Sequence, residues 1–273
     1  MSDRATGWDL SVFDVASESL LATVQGARYQ VMTTTEDGRP LTRSARTAQP
    51  VKREARVAAL VTSLGTAPFR VSHLDVSQLQ VGGAPLRAHL RRGTVRGEFD
   101  HAEGSGVGDA WRWPVLVERD FSAQLELAVP VTAVPLAAAS HGALTNALVD
   151  LVMEINGVTV SLPMALTQWE HRWTMGDIQV VRAELSGVGP DTGAYPTSPT
   201  GTASLLARAM SQPEAPVAME ITSRASGGQT YTGNFVWEHF AFRVREGKLV
   251  QTEYGWRSQG PVSAEATVWL RSP

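Results

Sequence analysis

The segment LVMEINGVTVSL, residues 151–162, carries the clearest structural signal in the chain. Its central pair, Asn156-Gly157, is preferred in type I′ hairpin turns, because both central positions of that turn need a positive φ. A two-residue turn here pairs apolar residues on one face: Ile155 with Val158, Met153 with Val160, and Leu151 with Leu162. Turn chemistry and hydrophobic register therefore agree, and the segment predicts an antiparallel hairpin.

Strand patterns continue on both sides of this hairpin. Residues 121–129 (FSAQLELAV) alternate apolar and polar side chains, which is typical of a strand with one solvated face. Further along, Phe235 and Trp237 share one face, whereas Phe240 has the opposite parity. A β-bulge near residues 238–239 would restore a single apolar face, so we predict one there. The chain is therefore predicted to be mainly β.

Two short helices are predicted among the strands. Residues 57–64 place four apolar side chains on one helical stripe, namely Val57, Leu60, Val61 and Leu64. Residues 202–210 form the second helix, with Leu206 and Met210 aligned on one side. Each predicted helix adjoins a long polar loop, at residues 36–56 for the first and at residues 187–201 for the second.

The order of elements is the same in both halves: strands, a long loop, one short helix, and more strands. We therefore predict two tandem β-sandwich or barrel-like domains, residues 1–135 and 143–273, each with one flanking helix and one long loop. The Pro/Ala-rich segment between them places the linker at residues 136–142.

Composition excludes several classes of protein. The 273 residues carry a net charge of −3, which gives no overall attraction to nucleic acid or acidic membranes. Cysteine is absent, so the chain has no disulfide framework and no thiolate nucleophile or metal ligand. The N-terminus lacks the pattern of a signal peptide, and no apolar run reaches the roughly 20 residues that cross a bilayer. We expect synthesis in the cytoplasm and no membrane partner.

No residue set predicts catalysis, a metal site or a cofactor. The tripeptide Trp-Glu-His occurs at residues 169–171 and 237–239 and could supply two histidine ligands, but strand neighbours point to opposite faces. Ser105 follows Gly104 directly, and the helix of a nucleophile elbow is missing. We interpret these residues as strand and loop positions and predict that the chain is not an enzyme.

Two further features leave alternatives open. The arginine-rich segment 36–56 could contact nucleic-acid phosphates, dock on an acidic face of a neighbouring copy, or be a solvated loop. We favour docking, because the segment has no interleaved aromatic side chains on which bases could stack. The 8 tryptophans could line a carbohydrate cleft, although such residues more often anchor a core or an interface.

This order of elements resembles the tail tube proteins of long-tailed bacteriophages, and similar proteins of contractile tails and secretion systems. In that family, a β-sandwich with one flanking helix assembles into rings, and strands of neighbouring copies form a continuous barrel around a lumen for DNA. Residues 36–56 and 187–201 are similar to the long loop that reaches the next ring or subunit. Some members resemble a fused pair, in which three chains form a ring with six-fold-like symmetry, and the length of this chain suits that version.

The resemblance implies a structural virion protein: a tail tube subunit that polymerises into stacked rings forming a conduit for DNA. The expected location is the virion tail. Its partners would be further copies of itself, other tail proteins, and DNA that passes without specific binding. The predicted assembly contacts lie in the two loops: Arg39, Arg43, Arg46, Lys52, Arg53, Pro190, Tyr195, Pro196 and Pro199. The alternatives are another tail or baseplate ring protein, distal or terminator, and a ligand- or carbohydrate-binding β-barrel protein.

Overall fold

The computed structural model describes residues 10–16, 18–34, 52–62, 72–106, 109–137, 148–155, 158–187, 205–223 and 228–266. The fold is mainly β, as predicted. The strands of the first half are β1 (Leu10–Val15), β2 (Glu18–Ser19), β3 (Val24–Thr34), β4 (Lys52–Val61), β5 (Val76–Val81), β6 (Ala84–Pro85), β7 (Leu90–Glu103) and β8 (Pro114–Ala128). Those of the second half are β9 (Leu148–Ile155), β10 (Val158–Arg172), β11 (Val180–Gly187), β12 (Val217–Ser223), β13 (Gln229–Arg245) and β14 (Gln251–Ala266).

Helical structure is scarce in the described part of the chain. The helix α1 spans Leu205–Ser211, and two short 3-10 helices span His73–Asp75 and Arg87–His89. The second predicted helix is thereby confirmed in its described part, and Leu206 and Met210 are buried as the pattern indicated. No helix among the described residues is long and apolar enough to cross a membrane.

The fourteen described strands belong to one antiparallel sheet with three branches that meet at β13. One edge of β13 pairs with β14 along most of its length. Its other edge pairs first with β12, through residues 230–235, and then with β7, through residues 239–245. Strands β1 and β2 extend beyond β12, and β4 and β3 extend beyond β14. The third branch runs β7, β8, β11, β10, β9, β5 and β6.

The hairpin predicted at residues 151–162 is formed by β9 and β10 in the predicted register. Ile155 lies opposite Val158, and Leu151 lies opposite Leu162. The predicted bulge is also confirmed, because the register of β13 against β14 shifts between Trp237 and His239. Local turn chemistry and side-chain parity were therefore sufficient to predict both features.

The predicted helix at residues 57–64 is wrong in its described part, because residues 57–61 belong to β4, while residues 63–64 lie outside the described residues. Its buried side chains alternate with a period of two: Ala55, Val57, Ala59 and Val61. A run of small and branched apolar residues fits the helical period and the strand period equally well. Pairing with β3 on one edge and β14 on the other decides in favour of the strand.

The predicted tandem domains imply that each half pairs with itself, and the sheet does not follow that division. Pairs that join the two halves are β1 with β12, β4 with β14, β7 with β13, β8 with β11, and β5 with β9. The strands of residues 1–135 and 143–273 therefore interleave in one sheet. Backbone hydrogen bonding joins the halves, and most of the predicted linker, residues 138–142, lies outside the described residues.

Aromatic residues fill the interior around the β-bulge in β13. Trp237 and Trp256 are fully buried with ring centroids 5.2 Å apart, and Tyr254 packs beside both. Phe13 of β1 meets Trp256 edge-on at 6.5 Å. Such contacts between large rings add specific geometry to the burial of apolar area. The ring contact between Phe13 and Trp256 packs β1 against β14.

Candidate functional surfaces

The outward face of five adjacent strands, β14, β13, β7, β8 and β11, carries mostly polar side chains, and we call it the polar face. Antiparallel register sets these side chains in rows across the strands. One row contains Arg245, Arg92, Glu126 and Arg182. The next row contains Gln251, Arg243, Thr94, Gln124 and Glu184. Two rows further along, Glu98 and Asp120 lie side by side, so the charge changes sign along the strands.

Three shallow cavities adjoin one another on the polar face. Their volumes are about 240, 330 and 650 Å³, and Thr94 and Gln124 line all three. The cations that line the largest cavity are Arg92, Arg243, Arg245 and Lys248. No carboxylate belongs to the described lining of this cavity, which we call the cationic cleft.

A network of charges lies where β4 meets β13 and β14. Glu54 of β4 is buried, and its Oε1 accepts a hydrogen bond from Arg56 Nε at 2.6 Å. Arg112 Nη1 lies 3.6 Å from Glu54 Oε2. Glu238 Oε1 lies 3.0 Å from Arg56 Nη1 and 3.1 Å from Arg257 Nη2. Because a buried carboxylate needs such partners, this network is part of the structure of the sheet.

The predicted assembly residues that the structure describes are Lys52 and Arg53, at the start of β4. Lys52 Nζ lies 4.0 Å from Glu103 Oε1 of the same chain, so it has a partner without a second copy. Arg53 is exposed, and its backbone hydrogen bonds with Ala110 and Arg112. The other predicted contacts lie outside the described residues: Arg39, Arg43, Arg46, Pro190, Tyr195, Pro196 and Pro199.

The residues considered for chemistry are not brought together. His171 contacts Gln179 at 3.1 Å, whereas His239 lies 3.8 Å from Glu253 on the polar face. The Ser105 hydroxyl donates to Glu103 and accepts from the Trp113 backbone N–H. Within the described ranges, no three His, Asp or Glu side chains form a group that could hold a metal ion.

His101 on β7 is a half-buried histidine. Burial lowers the pKa of His101 below its usual 6.5, and the nearby Arg257 acts in the same direction. The Phe99 backbone and the carboxylates of Glu238 and Asp100 act in the opposite direction. His101 is therefore held towards its neutral form next to the charge network.

Sequence reasoning missed an uncovered apolar surface on β8. From Phe121 to Leu127, the odd-numbered residues of this strand are buried in the core. At its beginning, Val115 and Val117 are 54% and 63% exposed. Residues 115–121 pair with β7 on one edge, and no other described strand occupies their second edge. This segment, the β8 edge, therefore presents exposed apolar side chains beside a strand edge that no described strand covers.

A second apolar surface lies at the turn between β10 and β11. Trp173 is 70% exposed, and Met175 and Ile178 of the same turn are also exposed. Val131 is exposed as well, and it follows Val129, whose backbone N–H donates to the Gln179 carbonyl at 2.9 Å. These four side chains belong to the same end of the sheet.

Glu18 of β2 is a half-buried carboxyl group in the described sheet. One of its carboxylate oxygens is buried and has no hydrogen-bond partner among the described residues. Burial raises the pKa of Glu18 from 4.5 to about 7, although Arg208 of α1 opposes the shift. The carboxyl group is thus largely protonated below pH 7 in the folded chain.

Stability should consequently fall as the pH rises from 4.5 through 7. The folded state holds a proton on Glu18 that the unfolded state has already released in this window, so raising the pH favours unfolding. We expect Glu18→Gln to match the parent at pH 5 and to be more stable by about 1 kcal/mol at pH 8, a figure reduced for solvent screening. Urea unfolding at both pH values measures the difference. Glu246→Gln, at an exposed ion pair, is the control and should change little at either pH.

Comparison with protein-family models and with curated proteins gives no match for this chain.

Proposed function

We propose that this chain is a non-catalytic structural subunit of a viral tail tube, which polymerises into stacked rings around a conduit for DNA. The observation that carries the proposal is the β8 edge, where Val115 and Val117 are exposed beside a strand edge that no described strand covers. Among the described residues of a single molecule, nothing covers either the apolar area or this edge. Identical neighbours could cover both.

A second free edge makes a repeating contact possible. β3 pairs with β4 on one side, and no described strand pairs with its other side. β3 of one copy could therefore add to the β8 edge of the next copy. A contact between two different surfaces of identical molecules either closes into a ring or propagates as a helix. In such a ring the polar face is the surface suited to a water-filled conduit.

Two alternatives differ in what they require. A distal or terminator ring of the tail would use the same contacts, and its copy number in the particle would be far lower than that of a tube subunit. A carbohydrate-binding barrel would need accessible tryptophans around a cleft. Trp237 and Trp256 are buried instead, and no tryptophan lines the three cavities of the polar face.

The oligomeric state of the purified full-length chain tests the proposal. Sedimentation velocity over a range of concentrations should reveal a discrete assembly several times the mass of the 29.4 kDa chain. Negative-stain electron microscopy of the same samples should show rings or stacks of rings with a central hole. A monodisperse monomer at the highest soluble concentration, with no rings in the images, would overturn the proposal.

A further inference from the structure

The cationic cleft contains an arrangement of charges that no described residue compensates. Arg92 of β7 and Arg245 of β13 lie directly opposite each other in the antiparallel register. Like charges in that position repel and destabilise a sheet. Neither guanidinium forms an ion pair or a side-chain hydrogen bond with any described residue. Among the described residues, nothing relieves this repulsion, and an anion bound in the cleft would do so.

The nearest carboxylates are already engaged elsewhere. Glu126, opposite Arg92 on β8, lies 3.3 Å from Arg182 Nη2. Glu253 lies 3.0 Å from Arg243 Nη2. Lys248, at the turn after β13, adds a further exposed cation with no ion-pair partner in the described part of the chain. The whole chain carries a net charge of −3, so an attraction for anions has to come from a local cluster of cations such as this one.

We propose that the cationic cleft binds phosphate groups of the DNA backbone, without reading base sequence. Guanidinium groups match the oxygens of a phosphate with paired donors, and a lysine adds a point charge. Thr94, Gln124 and Gln251 supply neutral donors in the same lining. No aromatic side chain lines the cleft, so it offers no surface on which bases stack.

This inference deepens the proposed function and rests on it for the source of the phosphate groups. Within a conduit, such a site would hold the passing strand by charge alone, with an affinity that depends strongly on salt. The row of Glu98 and Asp120 on the same face would repel the backbone and limit the contact to one end of the strands.

Fluorescence anisotropy with a short labelled DNA duplex tests the inference on the full chain. Phosphate contacts by the three cations without an ion-pair partner among the described residues, Arg92, Arg245 and Lys248, predict that affinity falls about fortyfold between 50 and 200 mM salt. The double variant Arg92→Gln/Arg245→Gln should bind more weakly and lose only about threefold over the same range, because one such contact remains. The control Arg28→Gln/Arg172→Gln removes the same charge at exposed positions outside the cleft and should behave like the parent.

Several outcomes would overturn the inference. One is the absence of duplex binding at 50 mM salt, and another is equal salt dependence in both double variants. In competition experiments, unlabelled duplex should displace the probe, whereas inorganic phosphate should do so only at concentrations where it acts as added salt. Displacement by a low concentration of inorganic phosphate would indicate a small-anion site and contradict the DNA assignment.

Assembly is measured separately on the same variants, which distinguishes the two proposals. If the variant Arg92→Gln/Arg245→Gln forms rings that bind DNA as tightly as the parent, the cationic cleft is not the DNA site. The proposal of a tube subunit would be unaffected. DNA binding by a strict monomer supports the cleft while contradicting the tube. A denaturant midpoint at or slightly above that of the parent shows that the variant is folded, since a like-charge pair has been removed.

Discussion

Replacing Trp256 by alanine is expected to lower the free energy of unfolding by about 3–5 kcal/mol. The indole is fully buried, with ring contacts to Trp237, Tyr254 and Phe13. Its removal leaves a cavity where β14 packs beneath β1, at the meeting point of strands from both halves. For a chain of this size, the loss corresponds to a fall in melting temperature of about 10 °C. Denaturant unfolding followed by circular dichroism measures the effect.

Two further substitutions locate the origin of that loss. Trp256→Phe keeps a ring in the core, and the indole N–H has no described hydrogen-bond partner to lose, so the cost should be about 1–2 kcal/mol. Trp173→Ala removes the same side chain from a position that is 70% exposed and should change stability by less than about 0.5 kcal/mol. Equal losses for Trp256→Ala and Trp173→Ala would contradict the aromatic core described here.

The double variant Val115→Lys/Val117→Lys is expected to abolish ring assembly while leaving the subunit folded. Both side chains are more than half exposed in the isolated chain, so the change in subunit stability should be within about 1 kcal/mol. In an assembled ring the lysines would be buried without partners, at a cost of several kcal/mol. Each 1.4 kcal/mol is a factor of ten, so the concentration needed for assembly should rise about a hundredfold or more. Sedimentation velocity measures this threshold.

Leu74→Lys provides a matched control for the added charge. Leu74 is an exposed apolar residue of a 3-10 helix, outside the β8 edge. This variant should assemble at the concentration of the parent. If Val115→Lys/Val117→Lys also assembles like the parent, the β8 edge is not a subunit contact, and the proposed function loses its main support.

Local structure was predictable from the sequence where short-range chemistry decides it. The hairpin of residues 151–162 depends on a turn pair and the parity of its flanks, and the bulge near residues 238–239 depends on parity alone. Residues 57–61 satisfy two periods at once, so it is pairing with β3 and with the distant β14 that makes them a strand. The interleaving of the two halves also depends on long-range partners, which local patterns do not specify.

The candidate surfaces depend on that same long-range register. Arg92 and Arg245 are ordinary exposed residues in the sequence, and their juxtaposition becomes visible only when β7 is aligned with β13. Val115 and Val117 read as strand residues, and nothing local shows that the core ends before it reaches them. The arginine-rich segment was the visible electrostatic feature, yet in its described part Lys52 and Arg56 pair with carboxylates of their own chain.

The dependence of early strands on late ones has a consequence for biosynthesis. β1 and β4 leave the ribosome first, but their partners β12 and β14 follow only near the end of translation. The nascent chain therefore exposes apolar strands without their partners during synthesis. In a crowded cell, association of these strands with other molecules competes with folding. The yield of folded protein in an expression host should then depend on temperature and chaperone supply during synthesis more than on the stability of the native state.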